Sequence, residues 1–146
     1  MPIVQDILSS KGSTVHSISS DSTVLHAVQK MNQQKIGALM VMDDDDHVLG
    51  IFTERDVLRR VVGELRDPGH VHVGDVMTRD VICCAPDADL DEVSAIMKNR
   101  RIRHLPICGD DGRIHGMISI GDLNAFNASQ QEATITFLND YVFGRA

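Results

Sequence analysis

Apolar positions recur along the chain in two rhythms. Val24, Ala27, Val28 and Met31 share the three-and-four spacing of one helix face, and Leu90, Val93, Ile96 and Met97 repeat it. A short apolar stretch precedes each set, at residues 15–18 and 81–84, and its length predicts a strand. Two more brief apolar runs follow each set, 38–42 with 48–52, and 105–108 with 114–118. Asp43-Asp44-Asp45-Asp46-His47 separates the first pair and Gly109-Asp110-Asp111-Gly112-Arg113 the second, so both pairs read as hairpins with solvated turns. Helices are predicted to begin again at Thr53 and Ser119, and Asp89 with Glu92 three residues on has the form of a capping box. Each unit reads β-α-β-β-α.

The two units are copies. A shift of 66 residues lays 15–57 on 81–123 without a gap and pairs Val15 with Val81, Asp21 with Asp87, Met31 with Met97, Ile36 with Ile102 and Leu39 with Leu105. It also pairs Asp44 with Asp110, Asp45 with Asp111, Gly50 with Gly116 and Asp56 with Asp122. With the shared apolar pattern, these identities indicate duplication of one supersecondary unit. Lead-ins at 4–8 and 73–78 precede the copies at an offset of 69. One half-sheet cannot close a core, whereas two packed together bury both apolar faces. The expected fold is α/β (α+β): two repeats in one module with pseudo-twofold symmetry and extra helices at the termini. Its expected segments are a first repeat with lead-in at 3–62, a linker at 63–72, a second repeat at 73–126 and a C-terminal helix at 127–146.

Composition narrows the functional classes. Fourteen Lys and Arg against 21 Asp and Glu leave a net charge of −7, and there is no Trp, one Tyr and four Phe. A nucleic-acid binder needs basic residues for phosphates and aromatic platforms for bases, so none is expected. No run approaches the length of a membrane helix and the N-terminus lacks signal-peptide features, which predicts a cytoplasmic protein with no membrane partner. Cys83, Cys84 and Cys108 are odd in number and lack metal-ligand spacing, so they read as reduced thiols, with packing rather than redox sensing assigned to Cys83. The aspartate run lacks the spaced ligands of a calcium loop, and His70-x-His72 falls in a solvated loop. Lys98, Arg100, Arg101 and Arg103 either steer a polyphosphate or complement a helix dipole.

Chemistry concentrates where the second hairpin strand meets the following helix. Gly50-Ile51-Phe52-Thr53-Glu54-Arg55-Asp56 and Gly116-Met117-Ile118-Ser119-Ile120-Gly121-Asp122 both read Gly-x-x-Ser/Thr-x-x-Asp. The hydroxyl falls at an N-cap, where unpaired N–H groups attract phosphate, and the carboxylate one turn on can accept from a ribose diol. The same spacing is also that of a helix cap needing no ligand. Recurrence in both repeats favours the ligand reading.

On these motifs, with Ile36-Gly37-Ala38-Leu39-Met40-Val41 and Ile102-Arg103-His104-Leu105-Pro106-Ile107, residues 3–126 resemble tandem CBS domains, paired regulatory modules that bind adenosine-containing nucleotides. The resemblance implies phosphate contacts at Thr53 and Ser119 and ribose contacts at Asp56 and Asp122. It implies purine walls of Val15, Ser17, Ala38 and Leu39 in one site and Val81, Cys83, His104 and Pro106 in the other. Lys11 and Thr78 are further phosphate candidates, and Arg55, at the position of Gly121, would distinguish the two sites. The expected ligand is AMP or ATP, with NAD(H) as the alternative, and the expected assembly is a homodimer acting on an unidentified regulated protein. The tail adds Ile135, Leu138 and Val142 on one stripe with Phe137 and Tyr141 beside it, a surface such a dimer would cover. No acid/base pair or nucleophile constellation stands out, so neither catalysis nor a catalytic cofactor is expected. Two rival readings are an interaction protein whose clefts hold no ligand, and an enzyme using Cys83 and His104.

Overall fold

The computed structural model describes residues 1–143, with side chains through Asn139. Tyr141 and Val142 of the expected stripe lie outside the described side chains. The chain runs α1 (Val4–Lys11), β1 (Ser17–Ser19), α2 (Val24–Gln34), β2 (Ala38–Met42), β3 (Val48–Thr53) and α3 (Glu54–Asp56), which continues as a π-helical stretch at Val57–Val62. Then come α4 (Val73–Val76), α5 (Leu90–Arg100), β4 (His104–Cys108), β5 (Ile114–Ser119) and α6 (Ile120–Phe143). The closing helix of the second repeat and the terminal helix are one unbroken α6.

Duplication is visible down to backbone register. In the first sheet β1 runs parallel to β2 and β2 antiparallel to β3, with Ala38 opposite Thr53. In the second, β4 and β5 are antiparallel with His104 opposite Ser119, the same pairing 66 residues on. Both hairpins shift register at the equivalent step, Val41/Met42 and Ile107/Cys108. Helices α2 and α5 both stop at a basic residue in the left-handed region, Lys35 and Arg101, each at φ 56°.

Two sequence expectations need correction. Residues 81–84 form no strand: Cys84 alone bridges Ile107, with Cys84 N–H donating to the Pro106 carbonyl at 3.1 Å. The segment turns too early for a ladder, because Val81 N–H closes onto the Arg79 carbonyl at 2.9 Å, and Pro86 beyond has no N–H to offer. Nor does Glu92 complete a capping box at α5. Asp89 accepts from the nearer Asp91 N–H at 2.8 Å instead, one turn residue short of that motif.

Strand alternation sorts the side chains into three layers. Leu39 and Val41 of β2 enter one core with Ile18, Val24, Met31 and Phe52, while Leu105 and Ile107 of β4 enter a second with Leu90, Val93 and Met97. Ala38, Met40 and Ile51 form an apolar layer between repeats, joined by Val15, Val81 and Met117. The lead-ins are exchanged. Val4, Ile7 and Leu8 of α1, which precedes the first repeat, pack in the second core, while Val73 and Val76 of α4 pack in the first. Backbone bonds fix both, Val4 N–H to Ala88 carbonyl at 3.0 Å and Val73 N–H to Ser22 carbonyl at 2.8 Å.

Candidate functional site

The two hydroxyl-carboxylate motifs fold alike at their helix starts. Thr53 N–H donates to Asp56 Oδ2 at 3.0 Å, and Asp56 N–H donates back to Thr53 Oγ1 at 3.4 Å. In the second repeat Ser119 N–H donates to Asp122 Oδ2 at 2.8 Å and Asp122 N–H to Ser119 Oγ at 3.1 Å. Both are reciprocal helix caps, so capping alone accounts for the shared spacing. What separates them is the rest of each carboxylate's surroundings.

Asp56 is closed off. It is 5% exposed, its Oδ1 accepts from Thr78 Oγ1 at 3.0 Å, and Arg60 Nε lies 3.8 Å away. Thr78, a candidate phosphate contact, thus directs its hydroxyl inside the protein. Asp122 instead borders a cavity of about 270 Å³. Thr14, Val15 and His16 enter it from the loop after α1, and Lys35, Ile36, Gly37 and Ala38 from the turn into β2. His104, Met117 and Ser119 complete the wall beside Asp122, and Lys11 reaches in from the end of α1.

Both repeats therefore build one site, which corrects the expected grouping. Val15 and Ala38 stand with Ser119 and Asp122 rather than with Thr53 and Asp56. Leu39 is fully buried in the first core because alternation turns it away from the cavity. Ser17 lies in β1 with its carbonyl taken by Lys30 Nζ, and Val81 packs between the repeats. Pro106 is buried opposite Met117, and Cys83 is exposed, not packed inside, with its sulfur 2.6 Å from that of Cys108. None of these lines the cavity. Arg55 Nη1 donates to the Arg101 carbonyl at 2.5 Å, closing the end of α5 instead of facing a phosphate, and Gly121 is exposed on the first turn of α6. The exposed Lys98, Arg100, Arg101 and Arg103 do not border the cavity either.

Sequence reasoning missed Thr14, His16, Lys35 and Met117 as wall residues, and missed Glu54. A Cβ on Gly37 would lie 2.6 Å from Glu54 Oε1 and 3.3 Å from His104 Cε1, so the missing side chain lets Glu54 come up behind the turn and His104 reach the wall. The available signal was Lys35-Ile36-Gly37 at the end of a helical pattern, where a left-handed residue and a glycine mark a close turn.

Electrostatics favour an anion with a polar handle. Among the lining residues Lys11 and Lys35 oppose one carboxylate, Asp122, with Glu54 close behind Gly37. Burial pushes the Asp122 pKa up, but the Lys11 ammonium and the Ser119 N–H outweigh it and hold the carboxyl below its ordinary value. Burial lowers the His104 pKa despite the nearby Glu54 and Asp122, leaving a neutral imidazole on the wall at pH 7. Partial burial of its sulfur, with Cys108 alongside, pushes the Cys83 thiol up to about 12, the opposite of an activated nucleophile. In the first hairpin Asp43 Oδ1 accepts from Asp45 N–H at 2.9 Å and His47 N–H at 2.8 Å, which gives that aspartate a turn-forming role. Among the described residues no helix is long and apolar enough to cross a membrane.

Comparison with known proteins bears on the family and the fold. The family model described as "CBS domain" matches residues 4–63 and 73–127. A mitochondrial CBS domain-containing protein of Arabidopsis thaliana, CBSX3, is 34% identical over 149 residues, covering 97% of this chain and 72% of its own. The structure of a putative signal-transduction protein with CBS domains from Burkholderia ambifaria superposes with a TM-score of 0.85 at 38% identity, covering 89% of this chain and 96% of that one. A CBS domain pair solved with 5-methylthioadenosine and S-adenosyl-L-methionine shares the fold, with a TM-score of 0.74 at 21% identity, 89% of this chain and 98% of that one.

Proposed function

Since the chain belongs to the CBS-domain family and carries the paired repeats of a regulatory module, we propose that it binds one adenine mononucleotide, AMP or ATP, in the cavity beside Ser119 and Asp122. Occupancy would then shift the balance between two arrangements of the repeats, because a ligand moves an equilibrium by its differential affinity for the two states. The observation that carries this reading is the joint cavity itself: a hydroxyl-carboxylate pair at the start of α6, two lysines, and an apolar wall from the other repeat.

Each part has a matching ligand group. The Asp122 carboxylate accepts from the ribose diol. The Ser119 hydroxyl and the two lysines face the phosphate, helped by the dipole of the 24-residue α6, whose Ile120 and Asp122 N–H groups are already taken by the Arg103 carbonyl and Ser119 Oγ. Val15, Ile36, Ala38 and Met117 give a purine its apolar bed. At about 270 Å³ the cavity falls just short of the roughly 300 to 1,000 Å³ spanned by ligand sites. That size suits a mononucleotide better than NAD(H), whose second half would need a carboxylate that Thr78 already occupies. The 5-methylthioadenosine and S-adenosyl-L-methionine held by the more distant CBS pair support the ligand class. The module carries no catalytic cofactor in this reading.

Thermal unfolding with AMP, ATP and NADH tests it. Saturation at a hundred times Kd stabilises the native state by about 2.7 kcal/mol, a readily measured rise in midpoint. Asp122→Ala should abolish the rise. Asp56→Ala should lower the baseline midpoint, because it strips Thr78 of its partner, yet preserve the ligand-induced increment. A flat response to the whole panel would favour the ligand-free interaction protein instead.

A second copy completes the assembly in this reading. Ile135 and Leu138, three residues apart on α6, are 58% and 51% exposed, with Phe137 at 69%. Residues 127–139 carry a single charge, Glu132, so two copies related by a twofold axis can meet there without strong like-charge repulsion.

A further inference from the structure

The carboxylate assigned to the ribose already has a cation on it. Lys11 Nζ donates to Asp122 Oδ2 at 2.7 Å and to the Met117 carbonyl at 2.8 Å. Ser119 N–H bonds the same Oδ2, so the ammonium stands beside the start of α6, where the proposed site receives its phosphate. Lys11 is the last residue of α1, whose Val4, Ile7 and Leu8 are fixed in the second core. Its own side chain is 37% exposed, and Gly12 behind it, at φ 95°, has open space around its Cα. A rigid base thus carries a long, half-solvated stem able to redirect its charge. Lys35 lines the same cavity but is not bonded to Asp122.

From this geometry we infer that Lys11 sets the selectivity of the cavity for phosphorylated nucleosides. The inference rests on the nucleotide reading above and adds the residue that discriminates. A ribose diol that bridges both Asp122 carboxylate oxygens takes Oδ2, where Lys11 sits, and so displaces the ammonium. A neutral nucleoside offers the displaced ammonium no anion, and the lost ion pair counts against binding. A nucleotide supplies a phosphate within reach of the same ammonium, which exchanges one anion for another. Lys11 therefore opposes adenosine and assists AMP, whereas a cation that merely adds positive potential, such as Lys35, assists AMP alone.

The test is calorimetric titration of the full chain with adenosine and with AMP, for the wild type, Lys11→Met, Lys11→Arg and Lys35→Met. The wild type should bind AMP more tightly than adenosine by about tenfold or more, on the order of one charge-assisted hydrogen bond. In Lys11→Met adenosine should bind more tightly and AMP more weakly, bringing the two close together. Lys11→Arg should keep the preference. Lys35→Met should weaken AMP and leave adenosine unchanged. If Lys11→Met keeps the wild-type ratio, or loses both ligands equally, Lys11 is not the discriminating residue even though the cavity binds nucleotides. If the wild type binds neither compound, the nucleotide reading itself falls and the role of Lys11 with it.

Discussion

Asp56 and Asp122 show how little a motif says about availability. Each closes the same reciprocal cap, but Thr78 meets the first and Lys11 the second, and it is the second that borders the cavity of about 270 Å³. The cap and its spacing were readable in the sequence. The partner was not, because Lys11 and Thr78 reach their aspartates across 111 and 22 residues of chain. Titration reports on the Asp122 partner. The Lys11 and Ser119 hydrogen bonds hold the native Asp122 below the ordinary 3.8, so this stabilisation is complete above about that pH and vanishes as pH falls through the lower native value. Urea midpoints between pH 5 and pH 2 should therefore fall less steeply for Lys11→Met than for the wild type; equal slopes would contradict the ion pair. His104 behaves in the same direction near neutrality. Its native pKa is depressed, so below about 6.5 the unfolded chain takes up a proton that the native imidazole refuses, and stability declines as pH drops. Replacing His104 with Ala, the residue the first repeat holds at Ala38, should shrink the loss of stability between pH 7.5 and pH 5.5, and an undiminished loss would place the effect elsewhere.

At the scale of elements, periodicity carried the hairpins and the long helices, because each is set by neighbours close in sequence. The strand expected at residues 81–84 failed where a tight turn at Arg79 and the nearby Pro86 outweighed apolar content. Exchange of α1 and α4 between the cores was equally illegible, since two similar repeats offer each lead-in two similar faces. The motif glycines show what the exchange demands. A Cβ at Gly50 would sit 2.6 Å from the Thr78 carbonyl, on backbone held by the paired Ile51–Thr78 bonds of 2.9 Å. At Gly116 the obstacle is Leu8 Cδ2 at 2.7 Å, a side-chain end that can rotate. Gly50→Ala should therefore cost about 1–3 kcal/mol, the usual range for overpacking, and Gly116→Ala less. Chemical denaturation of the two variants checks the order, and a larger loss at Gly116 would mean that Leu8 is held more rigidly than the Thr78 backbone.

For the molecule as a whole, exchanged lead-ins tie the two repeats into one body, with the cavity at their seam, so a change there can be felt on both sides. The sequence showed that two faces must meet, but not that the wall of the first copy would serve the carboxylate of the second. That choice belongs to tertiary packing, which a pattern common to both repeats cannot encode. Helix α6 extends this logic outward: its first turns belong to the site and the second core, while residues 127–139 run on in contact with solvent. Ile135 and Leu138 lie on one face of that extension with a single charge nearby, and a twofold partner would bury them at the far end of the helix whose start borders the cavity. Sedimentation equilibrium at micromolar concentration should give the mass of two chains for the wild type. Ile135→Glu with Leu138→Glu should give one chain with unchanged circular dichroism, since neither side chain supports the monomer core. A wild type that sediments as a single chain, or a double variant that stays paired, would separate the exposed end of α6 from assembly.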